Sequence, residues 1–562
     1  MCSSRLRGTR RLHSQLLEGV PSRPYWPYHR DMATGLSPLN RALNLVPKRA
    51  ESRQSEQLRD TFVDSGVAVV MESVDHQIIY GRRGTGKTHA FRYLETVLRV
   101  NGDVPIYLDL RTVGSPEGLF LGEEVKPTER ASRLLVDLLN QFHASLMEAV
   151  LEDDDLIADV ALISKLDALL DSISTVRVSG EIEVSNEGER VKGAKSSLAV
   201  RLGFRAPEVD LSAEDSDETR KMTTETRRGT ESISLNFSDI ARSLRSLFDS
   251  LKSRRVWLLL DEWSSAPGEI QPYLGEFLVR CLLPLQGLTV KIAAIEQQTN
   301  FRTALPSSQL IGLELGADIA ANVSLDEFMV FEENKERSRE FFKSLFFNHL
   351  TLGGAPNSPV ASISSPQGIV RQGFTDTRAF DELVRAAEGV PRDALNIAAK
   401  AAVRAATEKI SVHDVRAAGR GWFQSDKEAA LRSSEEASRL LNWIIDKVIR
   451  ERRARGFLVN QRDANNALLL ALFDARVLHV VRRGYSAQDE PGERYDVYVI
   501  DYGAYVDLMQ TRYAPQGVLP IGPEDEEPEY VEVPTQDLRA IRRAVLDIES
   551  FIATLPGTRA GS

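Results

Sequence analysis

The sequence has few residues of the kinds that build disulfide frameworks and metal centres. It contains two cysteines, Cys2 and Cys281, and eight histidines among 562 residues. Two scattered cysteines supply neither a disulfide framework nor a cysteine zinc site, and they predict a cytoplasmic protein. We find no HExxH, no paired CxxC and no serine-nucleophile elbow, so the sequence shows no protease or metal-site motif. No apolar run reaches the roughly 18 residues that span a bilayer, and we expect no membrane partner.

Positive charge is also in deficit. The chain has 70 Lys and Arg residues against 81 Asp and Glu residues, which gives a net charge of −11 and a sequence pI of about 5.5. Because the chain as a whole repels polyphosphate, any contact with DNA must come from a local basic patch. The hydrophobic fraction of 42% and the charged fraction of 27% are those of an ordinary globular protein. The length predicts three or four domains.

The most informative stretch is the octet GRRGTGKT, residues 81–88, which matches the pattern GxxxxGK followed by Ser or Thr. A short β-type run, HQIIY, precedes the octet, and KTHAFRYLETVLR follows it with apolar residues on one helical face. A strand, a glycine-rich turn and a helix in this order are what a phosphate-binding loop requires. The predicted nucleotide-binding residues of this loop are Gly81, Arg82, Arg83, Gly84, Thr85, Gly86, Lys87, Thr88 and His89.

A second segment supplies the acidic residues that a nucleotide site needs. RRVWLLLDEWSS, residues 254–265, is an unbroken apolar strand that ends in Asp261 and Glu262. Continuous hydrophobicity indicates a strand buried on both faces, as in a parallel sheet, whose carboxyl end lies beside the phosphate loop. We predict that Lys87 contacts the β- and γ-phosphates and that Thr88 and Asp261 bind the nucleotide and its Mg²⁺. Glu262 is predicted to polarise the attacking water, so the segment predicts a nucleotide hydrolase core.

The Asp-Glu pair and the next strand, LTVKIAAIE at residues 288–296, resemble the AAA+ superfamily of ATPases. The resemblance implies an α/β fold in which a phosphate-loop core with a parallel sheet is followed by a helical lid and a winged-helix domain. It implies ATP and Mg²⁺ as cofactors, a polar sensor of the γ-phosphate after this strand, and an arginine finger that acts on a neighbouring subunit. The sensor candidates are Glu296, Gln297, Thr299 and Asn300, and the finger candidates are Arg302 and Arg280.

The segment GVPRDAL resembles, more narrowly, the lid motif of the origin-recognition and cell-division-control initiator ATPases. In that family the arginine of the motif touches the γ-phosphate, and the matching residue in this sequence is Arg392. Pro391 suits the first turn of a helix, where an arginine can reach over a bound nucleotide. The resemblance therefore adds Arg392 to Glu262 and Lys87 as a predicted catalytic residue.

The region after the lid predicts two helices and then a β-hairpin, made of LHVVRRGY and RYDVYVIDY, which are the elements of a winged helix. Basic and amide residues flank the hairpin and begin the second helix, whereas the turn carries the acidic Asp489 and Glu490. Winged helices contact DNA or protein, and both interpretations stay open. The candidate DNA contacts are Arg462, Asn465, Asn466, Arg482, Arg483 and Arg494.

About a hundred residues between Val150 and Val256 depart from the family pattern and predict an insertion. Its alternating runs 176–184 and 198–204 predict a β-hairpin, and the polar run 206–232 predicts a disordered loop. The predicted units of the chain are a disordered leader (1–31), the first part of the AAA+ core (32–150), the insertion (151–235), the second part of the core (236–330), the lid (331–430), the winged helix (431–513), an acidic disordered linker (514–534), and a C-terminal amphipathic helix and tail (535–562).

These features predict an ATP-hydrolysing AAA+ switch that associates with double-stranded DNA through its winged helix, in initiation, transposition or mobile-element control. The insertion departs from the initiator family, so an alternative stays open: a signalling or anti-phage defence ATPase whose nucleotide state controls protein assembly. A nucleotide-binding scaffold with negligible turnover is a third hypothesis, and Glu262 argues against it. The expected partners are double-stranded DNA and either further copies of the chain or another protein.

Overall fold

The computed structural model describes residues 35–50, 53, 55–114, 126–173, 176–185, 224–233, 235–251, 254–326, 335–352, 360, 362–452, 454–486, 493–509, 518–521, 529–532 and 544–555. The predicted leader, the predicted strand at 198–204 and the turn residues Asp489 and Glu490 lie outside these ranges. Within them, no helix is long and apolar enough to cross a membrane.

Strands and helices alternate through the first half of the chain, and helices dominate after residue 335. The strands are β1 (Gln77–Tyr80), β2 (Val104–Asp109), β3 (Val176–Ser185), β4 (Thr224–Ile233), β5 (Val256–Asp261), β6 (Leu288–Ala294), β7 (Arg302–Ala304), β8 (Leu310–Gly312), β9 (Ala320–Ser324), β10 (Gly456–Asn460), β11 (Leu478–Ser486), β12 (Arg494–Ile500), β13 (Val518–Ile521) and β14 (Glu529–Glu532). The α-helices are α1 (Pro38–Leu45), α2 (Ser55–Thr61), α3 (Ala68–Met71), α4 (Lys87–Val100), α5 (Pro127–Leu151), α6 (Asp154–Ile157), α7 (Val160–Ile173), α8 (Phe237–Phe248), α9 (Gln271–Phe277), α10 (Lys335–Phe347), α11 (Pro366–Gly373), α12 (Thr377–Ala386), α13 (Pro391–Ala405), α14 (Val412–Trp422), α15 (Glu428–Ala430), α16 (Glu435–Ile444), α17 (Ala467–Asp474), α18 (Tyr502–Tyr505) and α19 (Ile548–Ile552). π-Helical turns continue α9, α10, α14 and α16 at Leu278–Leu282, Asn348–Leu352, Phe423–Lys427 and Ile445–Glu451.

Five strands form a parallel sheet in the order β2–β5–β6–β1–β9. Every residue of β5 and β6 is buried, as expected for continuous hydrophobic strands in a parallel sheet. The register pairs Asp109 at the end of β2 with Asp261 at the end of β5. The carboxyl ends of the strands therefore meet at the edge where β1 leads into the phosphate loop. This sheet, with its phosphate loop, confirms the predicted α/β fold with a parallel sheet.

Alternate residues of β5 enter two hydrophobic clusters on opposite faces of the sheet. Leu258 and Leu260 belong to a cluster that includes the apolar residues of α5, α7 and α8. Trp257 and Leu259 belong to another cluster that includes Phe91 of α4. Helices on both faces thus hold the sheet, and α4 fixes the phosphate loop at its edge.

The insertion differs from its prediction in two respects. β3 pairs antiparallel with Thr224–Ile233, from Val176 opposite Ile233 to Ser185 opposite Thr224, whereas the predicted partner, residues 198–204, lies outside the described residues. The strand β4 therefore lies in the segment that was predicted as a disordered loop. Its sequence, TETRRGTESI, lacks apolar alternation, and the two strands are joined by the hydrogen bonds of the backbone ladder.

The start of the insertion forms two consecutive helices, α6 and α7. The Asp153 carboxylate accepts hydrogen bonds from the N–H groups of Asp155 and Leu156 and caps α6. The Asp159 carboxylate accepts from Ala161 and Leu162 and caps α7 in the same way. Two aspartate caps within seven residues start two helices, which explains the break.

The lid and the C-terminal region share one hydrophobic core. Buried side chains of α1, of helices α10 to α14, of α16 and α17, and of the sheet β10–β12–β11 form a single cluster. α1 lies within the predicted first part of the core but packs on the lid. Asn40 Nδ2 donates to the carbonyl oxygens of Ala406 at 2.8 Å and Glu408 at 2.9 Å, and Leu39 lies close against Gly373.

The C-terminal region contains the predicted hairpin and one additional strand. β11 and β12 pair antiparallel, with Leu478 opposite Ile500. β10 joins the other edge of β12, with Gly456 opposite Val499. α16 precedes this sheet and α17 lies between β10 and β11, so the order is helix, strand, helix, strand, strand.

The C-terminal tail also differs from its prediction. β13 and β14 pair antiparallel within residues predicted as a disordered linker. Within the described part of the predicted helix over residues 536–555, the helix comprises Ile548–Ile552, and residues 536–543 lie outside the described ranges. Residues 544–546 instead extend along β10: Leu458 N–H donates to Ala544 O, and Leu546 N–H donates to Leu458 O, both at 2.8 Å. The unpaired edge of β10 offers these hydrogen bonds, so residues 544–546 are extended and not helical.

Candidate nucleotide-binding site

The octet forms the turn between β1 and α4. Gly84 and Gly86 have φ angles of 91° and 100°, which side chains rarely tolerate. Gly86 is the N-cap of α4, whose first residue is Lys87. The N–H groups at the start of the helix and its partial positive charge favour an anion at this turn. The strand, turn and helix thus lie at the predicted positions.

Lys87 is buried, with 7% of its surface exposed. Its Nζ donates to the carbonyl oxygens of Gly81 at 2.7 Å and Arg82 at 3.1 Å. Burial lowers the pKa of Lys87, and the nearby carboxylates of Glu262 and Asp261 oppose that shift. The lysine of the loop and the acidic pair after β5 therefore act on one another electrostatically.

Asp261 and Glu262 are adjacent in sequence but differ in exposure. Asp261 is fully buried, and its carboxylate accepts from the Tyr107 hydroxyl and the Glu262 N–H, both at 2.8 Å. Glu262 has a φ of 55°, a left-handed conformation that is strained for a glutamate and is typical of functional turns. Burial, followed by repulsion from Asp261, raises the pKa of Glu262. A carboxylate with raised proton affinity suits the predicted interaction with water.

Arg111 belongs to this site, although the sequence analysis did not single it out. Its Nη2 lies 2.6 Å from Asp109 Oδ2, and its Nη1 lies 3.7 Å from Glu262 Oε1. The pairing of Asp109 with Asp261 across the sheet brings this arginine to the acidic pair. The available signal was its position just beyond the carboxyl end of a strand, where open α/β sheets bind ligands.

Arg392 lies directly on the phosphate loop. Its N–H donates to Gly84 O at 3.3 Å. A Cβ on Gly84 would lie only 2.8 Å from Arg392 Nε and 3.1 Å from Val390 Cγ1, so only glycine fits there. Pro391 is the first residue of α13, which places Arg392 in the first helical turn as the sequence predicted.

The two arginines of the octet have different surroundings. Arg82 is buried. Its Nε and its N–H each donate to the Asp326 carboxylate at 2.9 Å, its Nη2 donates to Glu388 O at 2.8 Å, and its Nη1 contacts His479 Nδ1. Arg82 therefore joins the phosphate loop to the lid and to β11. Arg83 is exposed and lines the cavity beside the loop.

A cavity of about 380 Å³ lies beside the loop. Predicted site residues that line it are Arg83, Gly84, Gly86, Lys87, Thr88, His89, Glu262 and Arg392. Gly81, Arg82, Thr85 and Asp261 are not among the lining residues. The cavity is also lined by Leu58, Leu345, Leu395, Arg53, His89 and His349, and we call this set of residues the base end. The cavity thus combines a charged phosphate end with a base end of three leucines, two histidines and one arginine.

The sensor candidates lie beyond β6 and none of them lines the cavity. Glu296 pairs with Arg483 at 2.9 Å, the Thr299 hydroxyl donates to Glu296 O at 2.9 Å, and Asn300 Nδ2 donates to Gly268 O at 3.4 Å. Gln297 Oε1 is buried without a hydrogen-bond partner among the described residues. Among the sensor candidates, Gln297 therefore has a side-chain oxygen that can still accept a hydrogen bond.

The two arginine-finger candidates are half exposed and take part in surface ion pairs. Arg280 Nη2 lies 2.5 Å from Glu276 Oε1, and Arg302 Nη1 lies 3.1 Å from Glu314 Oε2. Such exposed pairs stabilise a fold by less than about 1 kcal/mol, so either arginine can change partner at low cost.

The donor set of the site fits Mg²⁺. The described residues contain no group of three His, Cys, Asp or Glu side chains that would hold a metal ion by themselves. Mg²⁺ needs less from the protein, since phosphates and waters supply most of its ligands and one or two carboxylates complete the shell. The Thr88 hydroxyl lines the cavity, and the carboxylates of Asp261 and Asp109 both act on Glu262 beside it.

Comparison with known proteins points to one family. Residues 45–102 match the family model described as ORC-CDC6-like. This segment contains β1, the complete phosphate loop and α4. The chain resembles the ORC-CDC6-like family. The resemblance predicted from the sequence is thus confirmed over the segment that carries the phosphate loop.

Similarities to solved structures are much weaker. The Orc1 protein of Aeropyrum pernix in complex with DNA is 14% identical, with 84% of this chain and 97% of that chain covered and a TM-score of 0.28. A RuvB variant from Thermotoga maritima is 11% identical, with 83% and 98% covered and a TM-score of 0.29. Similarity at this level supports no conclusion about fold or function. No curated protein matches the chain.

Proposed function

We propose that this chain binds and hydrolyses ATP as an AAA+ switch and that it associates with double-stranded DNA through a winged helix. The observation that carries the proposal is the cavity that Lys87, Thr88, Glu262 and Arg392 line together. These four residues come from the phosphate loop, the end of β5 and the lid. A phosphate-binding lysine, a magnesium-binding hydroxyl, a water-polarising carboxylate and a cation are the parts that phosphoryl transfer needs.

Each residue then has a defined task. Lys87 binds the β- and γ-phosphates, and the backbone N–H groups at the start of α4 bind the remaining phosphate oxygens. Thr88 and Asp261 would hold Mg²⁺, which neutralises the charge that develops on the phosphates. Glu262 orients and polarises the attacking water, which its raised pKa favours. Arg392 donates to the γ-phosphate from the lid, so hydrolysis changes the contact between lid and core.

The order and pairing of α16, β10, α17, β11 and β12 support the winged-helix interpretation. Arg462, beside α17, is 79% exposed in its side chain and pairs with Glu493 at 2.6 Å. Arg483 of β11 is 41% exposed. Exposed ion pairs of this kind are weak, so a DNA phosphate can replace the carboxylate.

A second candidate function, a signalling or anti-phage defence switch, is favoured by the same contacts. The proposed DNA-facing groups already have partners within the chain: Arg462 binds Glu493, Arg483 binds Glu296, and the Asn466 side chain caps α17 through Leu468 N–H. In this alternative the C-terminal region contacts a protein, and nucleotide state controls assembly with that protein or with further copies of the chain.

The ATPase rate of the purified chain, with and without double-stranded DNA, tests the choice. We expect DNA to stimulate the wild type at low salt, and we expect stimulation to fade at physiological salt as counterions compete for the phosphates. Arg462→Ala should reduce the stimulation, Arg439→Ala on the exposed side of α16 should not, and Glu262→Gln should show no turnover. Turnover that DNA leaves unchanged at every salt concentration would favour the protein-directed switch.

A further inference from the structure

The base end of the cavity contains a pair of side chains with more donors than partners. Arg53 precedes α2, and His349 lies 296 positions later in the π-helical turn after α10. Arg53 Nη2 lies 2.8 Å from His349 Nδ1. A guanidinium only donates, so Nδ1 accepts this hydrogen bond and the ring proton lies on Nε2. The pair thus presents N–H groups and no acceptor toward its remaining neighbours.

Three of these donors are buried and unpaired. Nε and Nη1 of Arg53 and Nε2 of His349 have no hydrogen-bond partner among the described residues. Burial, together with the charge of Arg53, keeps the pKa of His349 well below its usual value, so the ring is neutral and Nε2 keeps its proton as a donor. His89 differs, because its Nε2 already lies 2.6 Å from Leu58 O. Buried donors without partners are rare in native folds and call for an explanation such as a ligand.

We propose that Arg53 and His349 recognise the base of the bound nucleotide and select adenine, an inference that rests on the proposed ATP site. On the edge that runs from N1 through C2 to N3, adenine presents two ring-nitrogen acceptors, whereas guanine presents N–H donors at N1 and on its 2-amino group and keeps only N3 as an acceptor. A set of protein donors therefore complements that edge of adenine and opposes that edge of guanine. Leu58, Leu345 and Leu395 line the same part of the cavity and supply apolar contact for the ring faces.

Binding of nucleotide analogues to the unmodified full chain tests the proposal. We would measure dissociation constants for ATP, 1-deaza-ATP, 3-deaza-ATP, 7-deaza-ATP and GTP by calorimetry. Loss of an acceptor for a charged donor should weaken binding roughly tenfold to a hundredfold for 1-deaza-ATP or 3-deaza-ATP and for GTP. 7-Deaza-ATP should bind like ATP. Equal affinity for all the adenine analogues, or tighter binding of GTP than of ATP, would overturn the proposal.

Two substitutions connect the effect to the residues. Arg53→Met and His349→Phe should each weaken ATP roughly tenfold or more, and the deaza analogues should lose less in these variants than in the wild type. Arg59→Met, at an exposed arginine of α2, is the matched control and should bind ATP normally. A uniform loss for ATP and every analogue would assign the pair a structural role and contradict the proposal. If the wild type binds no nucleotide at all, it is the proposed function that fails.

Discussion

Neighbouring residues of α13, Arg392 and Asp393, belong to two charged clusters with different properties. The nucleotide cluster consists of Lys87, Arg111, Asp261, Glu262 and Arg392 and surrounds the phosphate end of the cavity. The interface cluster consists of Asp393, Lys427, Arg476, His479 and Asp501 and lies between the lid and the C-terminal region. In the nucleotide cluster, Arg111 and Glu262 are separated by 3.7 Å, and Glu262 lines the cavity.

The interface cluster is closed by mutual contacts. Lys427 is 1% exposed, contacts Asp501 directly and lies 2.8 Å from Asp393, which is fully buried. Arg476 Nη1 lies 3.0 Å from Asp393, and His479 Nε2 lies 3.0 Å from Asp501. Buried charges are tolerated only with such pairing. Paired buried charges thus hold the lid to the C-terminal region, whereas the charged side chains around the cavity can still bind a ligand.

The largest expected effect on stability comes from opening the interface cluster. Lys427→Met leaves the buried carboxylates of Asp393 and Asp501 without their lysine, and we expect a loss of about 3–5 kcal/mol in the free energy of unfolding. Lys447→Met is the control, because Lys447 forms an exposed pair with Glu451 and should cost less than about 1 kcal/mol. Urea unfolding followed by circular dichroism measures both, and equal small losses would contradict the role given to the interface cluster.

Substitution of Arg392 is expected to have a smaller effect, and this effect should be on the rate of ATP hydrolysis and not on stability. Arg392→Ala removes a cation from the phosphate loop, and we expect turnover to fall about a hundredfold, as when one transition-state donor is lost. Stability should change little, since Arg392 is not part of the interface cluster. Arg404→Ala, on the exposed side of the same helix, should leave turnover normal. Steady-state ATPase assays would contradict the assignment if both variants kept the wild-type rate.

A third effect is a dependence of stability on pH. Burial, and then the charge of Arg82, lower the pKa of His479 to about 4, against about 6.5 for an unfolded histidine. Between these values the unfolded chain binds more protons than the folded chain, so stability falls as pH decreases from 6.5 to 4. His76, His89 and His349 have lowered pKa values as well and add to the same slope.

His479→Asn isolates the contribution of this histidine. The asparagine amide can accept from Arg82 and donate to Asp501 but does not titrate in this range. We expect the melting temperature of the variant to change less between pH 6.5 and 4 than that of the wild type, as measured by differential scanning fluorimetry. An unchanged slope would show that His479 does not titrate as a buried neutral ring.

The sequence predicted those parts of the fold that depend on residues close together in the chain. The phosphate loop and β5 depend on contiguous residues, and Pro391 fixes the first turn that carries Arg392. The path of residues 544–546 could not be predicted, because it depends on a free edge of β10 that is distant in sequence. The pairing of β3 with Thr224–Ile233 was not predicted, because that segment has no apolar alternation to reveal it.

The sequence analysis missed several site residues for the same reason: they come together only through contacts between distant parts of the chain. Arg111 becomes part of the nucleotide cluster only because β2 pairs with β5. Arg53 and His349 meet across 296 positions, and neither belongs to a motif. The interface cluster likewise joins residues of α13, the π-helical turn after α14, and β11. Such sets of residues can be identified only when the tertiary packing of the chain is known.

The most direct test of the central claim compares Lys87→Ala and Glu262→Gln with the wild type. We would measure ATP binding by calorimetry and hydrolysis by phosphate release on the same preparations. Lys87→Ala should abolish binding, whereas Glu262→Gln should bind ATP as the wild type does and stop its hydrolysis, because the amide cannot polarise the attacking water. Hydrolysis by Glu262→Gln at the wild-type rate would contradict the site.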